Sequence, residues 1–128
     1  IMIACKTLAL IEALNPKYYF IENPRGMMRK QWFMKGLDRR TVTYCQYGDF
    51  RQKPTDIWTN IGIRWIPKPV CSLGDSCHEA AVRGADKGSQ SIGGGGKKGA
   101  IMRSMIPREL CLEIIKACEL SHNSHKRK

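Results

Sequence analysis

The chain carries 128 residues in 14.5 kDa, enough to bury one core and too little for two ordinary domains. Hydrophobic residues at 42% and charged residues at 26% exclude collagen, a fully disordered chain and a bilayer-spanning protein, and no run approaches the roughly 18 apolar residues that a membrane helix needs. Lys and Arg total 22 against 11 Asp and Glu, a net charge of +11 with a pI of about 9.7, which favours a polyanionic partner, nucleic acid first. Six cysteines are too sparse for a secreted disulfide scaffold, and no charged start followed by an apolar signal core precedes them, so a reducing, intracellular compartment is expected.

Ile3, Ala4, Leu8, Leu10, Ile11 and Leu14 recur at helical spacing and predict a helix over 1–14, stopped by Asn15-Pro16. Residue 1 is Ile and already lies in that helix, so an upstream segment is expected. Tyr18-Tyr19-Phe20-Ile21 reads as a short buried strand ending in Glu22-Asn23-Pro24-Arg25-Gly26. Helix, tight turn, strand and polar loop make half of a βαβ unit, which places Glu22 and Asn23 at a strand's carboxyl end, where open α/β sheets bind ligands. Met27 to Leu37 predicts a short helix with Met28, Trp32 and Phe33 inward. Thr41 to Cys45 predicts a second strand, closed by Gly48, and Asp56 to Thr59 a third after Pro54-Thr55. Alternation resumes through Ile61, Ile63 and Trp65, and Pro67 and Pro69 end the sheet region.

Glycine and serine dominate from Cys71 to Ala100, and 83–100 reads as a mobile basic loop. Ser104 as cap and Pro107 near the first turn introduce a last helix, with Ile106, Leu110, Ile114 and Cys118 on one face beside Leu112 and Ile115. The expected organisation is a catalytic-domain part over 1–66, a basic Gly/Ser-rich loop over 67–100, a helix packing back over 101–120 and a disordered basic tail over 121–128.

Three stretches carry the functional reading: YYFIENPRG from Tyr18 to Gly26, TVTYCQYG from Thr41 to Gly48, and RQKPTDIWTN from Arg51 to Asn60. In combination they resemble the C-terminal part of the catalytic domain of DNA cytosine-5 methyltransferases. The likeness is greatest to phage-type members that pair an Asn-Pro motif with a Tyr-Cys-Gln-Tyr-Gly strand and a Lys-Pro-Thr strand. The resemblance covers residues 4–66, with a looser echo at Ile106-Pro107. It implies the C-terminal half of a Rossmann-like α/β domain with a mixed sheet, a basic glycine-rich loop and a C-terminal helix. It also implies methyl transfer from S-adenosylmethionine to DNA, and a place in the cytoplasm of a bacterial or phage-infected cell.

Glu22 and Asn23 match the first two positions of that family's Glu-Asn-Val motif, with Pro24 where Val is usual. The resemblance implies that the Glu22 carboxyl holds the edge of a cytosine flipped out of the helix; flipping is needed because the target carbon is hidden in the stack. A plain alternative is that Glu22-Asn23 caps the next helix. Arg51 and Lys53 resemble the basic pair of the Gln-x-Arg-x-Arg motif, which holds the phosphate backbone, although Gln46 stands five residues before Arg51. Arg25, Arg29, Lys30, Lys35, Arg39, Arg40, Arg51 and Lys53, against Asp38 and Asp49, form a positive strip. Arg25, Arg51 and Lys53 are its candidate DNA contacts. The family's glycine-containing cofactor loop and its Pro-Cys nucleophile are both missing from the sequence. An N-terminal half is therefore expected to supply them, and this chain alone is expected neither to bind S-adenosylmethionine nor to transfer a methyl group.

Gly93 to Gly99 reads as a linker and not a phosphate loop, having no strand before it. Cys5, Cys45, Cys111 and Cys118 read as small core residues. Cys71, Cys77 and His78 could supply three zinc ligands, with His122 or Cys111 recruited as a fourth, but adjacent Cys and His close a tetrahedron poorly, so an unmetallated turn around Asp75 is expected. Convergence of the two sulfurs and a ring nitrogen to within about 4 Å would point to metal instead. From another class, a non-catalytic basic nucleic-acid-binding module is the alternative function, with Trp32, Tyr44, Tyr47, Trp58 and Trp65 as base-stacking candidates.

Overall fold

A computed structural model of the chain describes residues 2–80 and 96–126. Its centre is the strand richest in β-branched and aromatic residues, β3 (Pro54–Thr59), nearly all of it buried. β3 pairs antiparallel with β1 (Phe20–Pro24) on one side and with β2 (Arg39–Thr43) on the other, giving the order β1-β3-β2. The molecule is thus mixed α/β with a three-stranded antiparallel sheet. The expected Rossmann-like sheet, built from βαβ units, is not what these residues form. A parallel neighbour needs a crossover of a dozen or more residues, usually helical. Here β1 reaches β2 through two 3₁₀ turns (Met27–Lys30 and Trp32–Met34), and β2 returns to β3 through a 3₁₀ turn (Tyr44–Tyr47) and a loop.

One face of the sheet is covered by α1 (Met2–Leu14), whose Leu8 and Ile11 pack with Ile21, Met34 and Trp58. The helix is exposed elsewhere: Ile3, Leu10 and Leu14 of the expected apolar stripe face solvent. Asn15 ends it in the left-handed region, at φ 44°, with its N–H donating to the Ile11 carbonyl at 2.9 Å. The opposite face carries the larger core, where Val42, Tyr44, Tyr47, Ile57, Ile61 and Trp65 meet Leu110 and Ala117 of α3 (Arg108–Lys126). Glu113 of α3 anchors that contact by accepting from the Tyr47 hydroxyl at 2.8 Å and the Trp65 indole at 2.9 Å.

Several boundaries differ from the sequence reading. The first strand runs over Phe20–Pro24 and not Tyr18 to Ile21, because the Asn60 side chain occupies the backbone before it, accepting from the Tyr19 N–H and donating to the Lys17 carbonyl, both at 3.0 Å. The segment Met27 to Leu37 does not form one helix but breaks at the extended Gln31 into two 3₁₀ turns. Met34 is buried there while Trp32 points outward. Tyr44 and Cys45 leave β2 in a tight turn closed by Gly48 at φ 87°, where a Cβ would also press within 3.1 Å of Glu109. Ile61 and Trp65 are buried as alternation requires, but a 3₁₀ turn (Gly62–Arg64) replaces a strand and leaves Ile63 exposed.

Of the expected loop over 83–100, residues 83–95 lie outside the described residues, and 96–100 belong to α2 (Gly96–Ser104). Gly93, Gly94 and Gly95 fall outside as well, whereas Gly96 and Gly99 are helical. Ser104 closes α2 by donating to the Ile101 carbonyl and does not cap α3. Helix α3 buries Leu110 as expected, with Ile114 and Cys118 half-buried, while Ile106, Leu112 and Ile115 are exposed. Far from fraying after 120, α3 continues to Lys126. The Ser121 and Ser124 hydroxyls donate to carbonyls one turn back and so do not compete with the helix. No helix among the described residues is long and apolar enough to cross a membrane.

Candidate functional site

Strand alternation separates the two residues that the sequence pairs. Glu22 stands opposite Ile57, and Asn23 opposite Asp56. Cross-strand partners share a face, so Glu22 projects on the α3 side and Asn23 on the α1 side. Both lie inside β1, not beyond its end, and no side chain caps the turn that follows. Asn23 donates to the carbonyl of Pro24 at 2.9 Å and lines a cavity of about 340 Å³ with Ile3, Met28 and Phe33, away from Glu22.

Glu22 is half-buried, and its Oε1 accepts from the Tyr44 hydroxyl at 2.9 Å. Burial, reinforced by the Glu22 charge, pushes the Tyr44 phenol far above its ordinary range, so it stays a neutral donor. Glu22 also walls an open cavity of about 330 Å³ with Pro24, Lys53, Ala100, Arg103 and Ser104. Lys53 lies over the Tyr44 ring, its Nζ 4.9 Å from the centroid, and donates to the Arg103 carbonyl at the end of α2, where helix carbonyls favour a cation. Burial lowers the Lys53 pKa below the ordinary lysine value, partly offset by Glu22. The pocket therefore joins the Glu22 carboxylate of β1, the Lys53 ammonium before β3 and Arg103 of α2, with the Tyr44 phenol bonded to Glu22 behind the wall.

The other expected phosphate contacts are placed differently. Arg51 is only 3% exposed and is consumed by Asp49, whose two carboxylate oxygens accept from its Nε and Nη2 at 3.0 and 2.7 Å. Lys53 is 7% exposed. A phosphate at Arg51 would have to displace Asp49, so Arg25, which is exposed, is the one of the three open to a backbone. Arg29 pairs with Asp56 and Arg40 with Asp38, which leaves Arg25, Lys30, Lys35 and Arg39 as the exposed cations of the strip. Of the base-stacking candidates, Tyr44, Tyr47, Trp58 and Trp65 are core, and Trp32 alone is exposed.

The sequence reading missed Asp56, fully buried in the central strand. Arg29 donates to both of its oxygens, and the Thr41 hydroxyl adds a bond at 2.9 Å. Burial pushes this carboxyl up, but the bonds from Arg29 and Thr41 outweigh it and hold the pKa below the ordinary aspartate value. An Asp in the middle of a β-branched strand was the available signal, since such a charge must find a partner.

The cysteines also depart from expectation. Cys5 is exposed, and Cys111 and Cys118 are half-buried. Cys45 is buried but faces Cys71 at 3.2 Å and Cys77 at 3.5 Å, while His78 Nδ1 lies 3.6 Å from Cys71 Sγ and 3.4 Å from Cys77 Sγ. The fourth residue of the cluster is Cys45, not His122 or Cys111, and both Cys71 and Cys77 bring their sulfurs within 4 Å of the His78 ring nitrogen, with all four candidate ligand atoms within 4.8 Å of one another. Cys45 escaped the sequence reading because its apolar neighbours look like core and 26 residues separate it from Cys71.

Comparison of the chain with family models, with curated proteins and with solved structures finds no match.

Proposed function

We propose that this chain supplies the target-base side of a DNA methyltransferase that moves a methyl group from S-adenosylmethionine to cytosine C5. The observation that carries the reading is Glu22: a half-buried carboxylate with one oxygen fixed by Tyr44, on the wall of an open cavity large enough for a small ligand. Among the described residues Tyr44 is its one hydrogen-bond partner. In this reading the second oxygen accepts from the exocyclic amine of a flipped cytosine, the group that distinguishes cytosine from thymine on that edge. Tyr44 then acts as a positioning residue, and Lys53 places a positive charge on the same cavity wall.

No described residues fit S-adenosylmethionine, because no strand opens through a glycine loop into a helix; β1 ends in Pro24-Arg25-Gly26 and a 3₁₀ turn. The cofactor site and the cysteine nucleophile therefore belong, in this proposal, to an N-terminal half supplied by a further segment. Exposed apolar residues on α1 and the edge of β1 that no described residue pairs suit such a neighbour, the antiparallel unit then forming one end of a larger sheet. The setting proposed is the cytoplasm of a bacterial or phage-infected cell.

The test is equilibrium binding of the purified chain to duplexes that carry one extrahelical cytosine or one extrahelical thymine. The reading expects a preference for cytosine on the order of 10-fold, the scale of one good base-edge contact, abolished by Glu22→Ala with the fold intact by circular dichroism. Salt-sensitive binding with no base preference would overturn it in favour of a non-catalytic basic nucleic-acid-binding module.

A further inference from the structure

We propose that Cys45, Cys71, Cys77 and His78 together hold one structural zinc ion. The inference is independent of the methyl-transfer reading. The four candidate ligand atoms all lie within 4.8 Å of one another. Around a tetrahedral zinc with bonds of about 2.3 Å to sulfur and 2.0 to 2.1 Å to nitrogen, sulfurs stand about 3.8 Å apart and a sulfur and a nitrogen about 3.6 Å apart. The closest pairs here, 3.2 and 3.5 Å between sulfurs and 3.4 and 3.6 Å to His78 Nδ1, sit close to that tetrahedron and far from the roughly 2.0 Å of a disulfide. Three thiolates and an imidazole are a donor set that suits zinc, and four protein ligands leave no open position for catalysis.

Local structure makes the convergence possible. Between Cys71 and Cys77 the chain doubles back in a turn, with the Ser72 N–H donating to Asp75 Oδ2 at 2.7 Å and Gly74 at φ 92°. The adjacency of Cys77 and His78 is accommodated because the imidazole presents Nδ1, the nitrogen nearer its backbone. Two amides then reach the sulfurs from outside: Gln52 Nε2 donates to Cys71 Sγ at 3.3 Å and Gln46 Nε2 to Cys77 Sγ at 3.5 Å. Donors aimed at ligating sulfurs are the outer-shell arrangement that stabilises thiolate charge.

The loop has little else to hold it. Ile66, Val70 and Leu73 are exposed, so residues 66–79 bury almost no apolar surface of their own, the situation in which metal binding supplies folding energy. Beyond the cluster, it is tied to the sheet region by polar contacts: the Lys68 N–H to the Tyr47 hydroxyl at 2.9 Å, Lys68 Nζ to the Gln46 carbonyl at 3.2 Å, the Cys71 N–H to Thr43 Oγ1 at 3.1 Å and the Glu79 N–H to the Phe50 carbonyl at 2.8 Å. A zinc ion would pin the loop to the turn that also carries Tyr44, and so would steady the wall of the Glu22 cavity.

The experiment is elemental analysis of the full chain purified under reducing conditions, with Cys77→Ser and His78→Ala as exposed-ligand variants and Cys5→Ser on α1 as the control. About one zinc per chain is expected in the wild type and the control, with retention against a chromophoric chelator weakened on the order of 100-fold in the two variants. Because a ligand variant can misfold, the wild type is also titrated with cobalt(II). The expected result is the visible and near-ultraviolet spectrum of tetrahedral thiolate coordination, saturating at one equivalent and displaced by zinc. Absence of zinc and of that spectrum overturns the proposal. So does zinc retained equally by all variants, or loss of two titratable thiols to a disulfide.

Discussion

Glu22 acts, in the proposed reading, through its charge and not only its shape, and the two can be separated. Gln at this position can still pair with the edge of cytosine but cannot share a proton with the ring nitrogen. In the complete enzyme Glu22→Gln should therefore keep the base preference and lower turnover on the order of 100-fold, as single-turnover kinetics would record. Normal turnover for Glu22→Gln together with unfolding of Glu22→Ala would reduce the carboxyl to a structural partner of Tyr44. Arg51 presents the opposite case. It is buried against Asp49, whose carboxyl burial pushes up and whose bonds from Arg51 hold below the ordinary aspartate value. Arg51→Ala strands that carboxylate and should cost about 3 kcal/mol in urea unfolding, with DNA affinity of the folded fraction unchanged. The candidacy of Glu22 was read from its motif, whereas the pairing of Arg51 was not legible, because a basic residue in sequence does not declare whether its partner is a phosphate or its own aspartate.

At the scale of elements, the central strand depends on an ion pair and α3 on a shared acceptor. Asp56 and Asp49 both have folded pKa values depressed below their ordinary ones, so their contribution is fully present above the unfolded carboxylate pKa and is lost as pH falls through the folded value. Thermal melts should show the midpoint falling steeply below about pH 4, with a shallower acid limb in Asp56→Asn. Glu113 accepts from both the Tyr47 hydroxyl and the Trp65 indole. Glu113→Leu leaves both donors without it and should cost about 2 to 4 kcal/mol by chemical denaturation, while Glu113→Gln, which keeps an acceptor, should cost less than about 1.5 kcal/mol. Periodicity announced α3 and its Leu110 face, but not Glu113, since a polar residue beside an apolar stripe is indistinguishable from a solvated one until its partners from the turn after β2 and from Trp65 arrive.

For the whole molecule, net charge predicts binding to a polyanion, and the fold decides which cations are open to one. Arg25, Lys30, Lys35 and Arg39 are exposed, while Arg29, Arg40 and Arg51 are paired with aspartates. Replacing Lys35 and Arg39 together by Ala should lower the slope of log affinity against log salt by about 2, measured by fluorescence anisotropy on a DNA duplex; an unchanged slope would place the phosphate contacts elsewhere.

What the sequence determined by itself is what neighbours in the chain encode. It specified the apolar spacing of α1 and α3, the Asn15-Pro16 stop, the three β-rich segments, the turn around Asp75 and the excess of positive charge. These follow from side-chain period and backbone preference, which act over a few residues. Only the tertiary structure decided the rest. It set the strands antiparallel in the order β1-β3-β2, sent Glu22 and Asn23 to opposite faces, paired three arginines with aspartates, and carried Cys45 to Cys71, Cys77 and His78. Strand direction and register depend on pairing between segments far apart in the chain, and a charge or a thiol takes its role from the group that pairing brings to it.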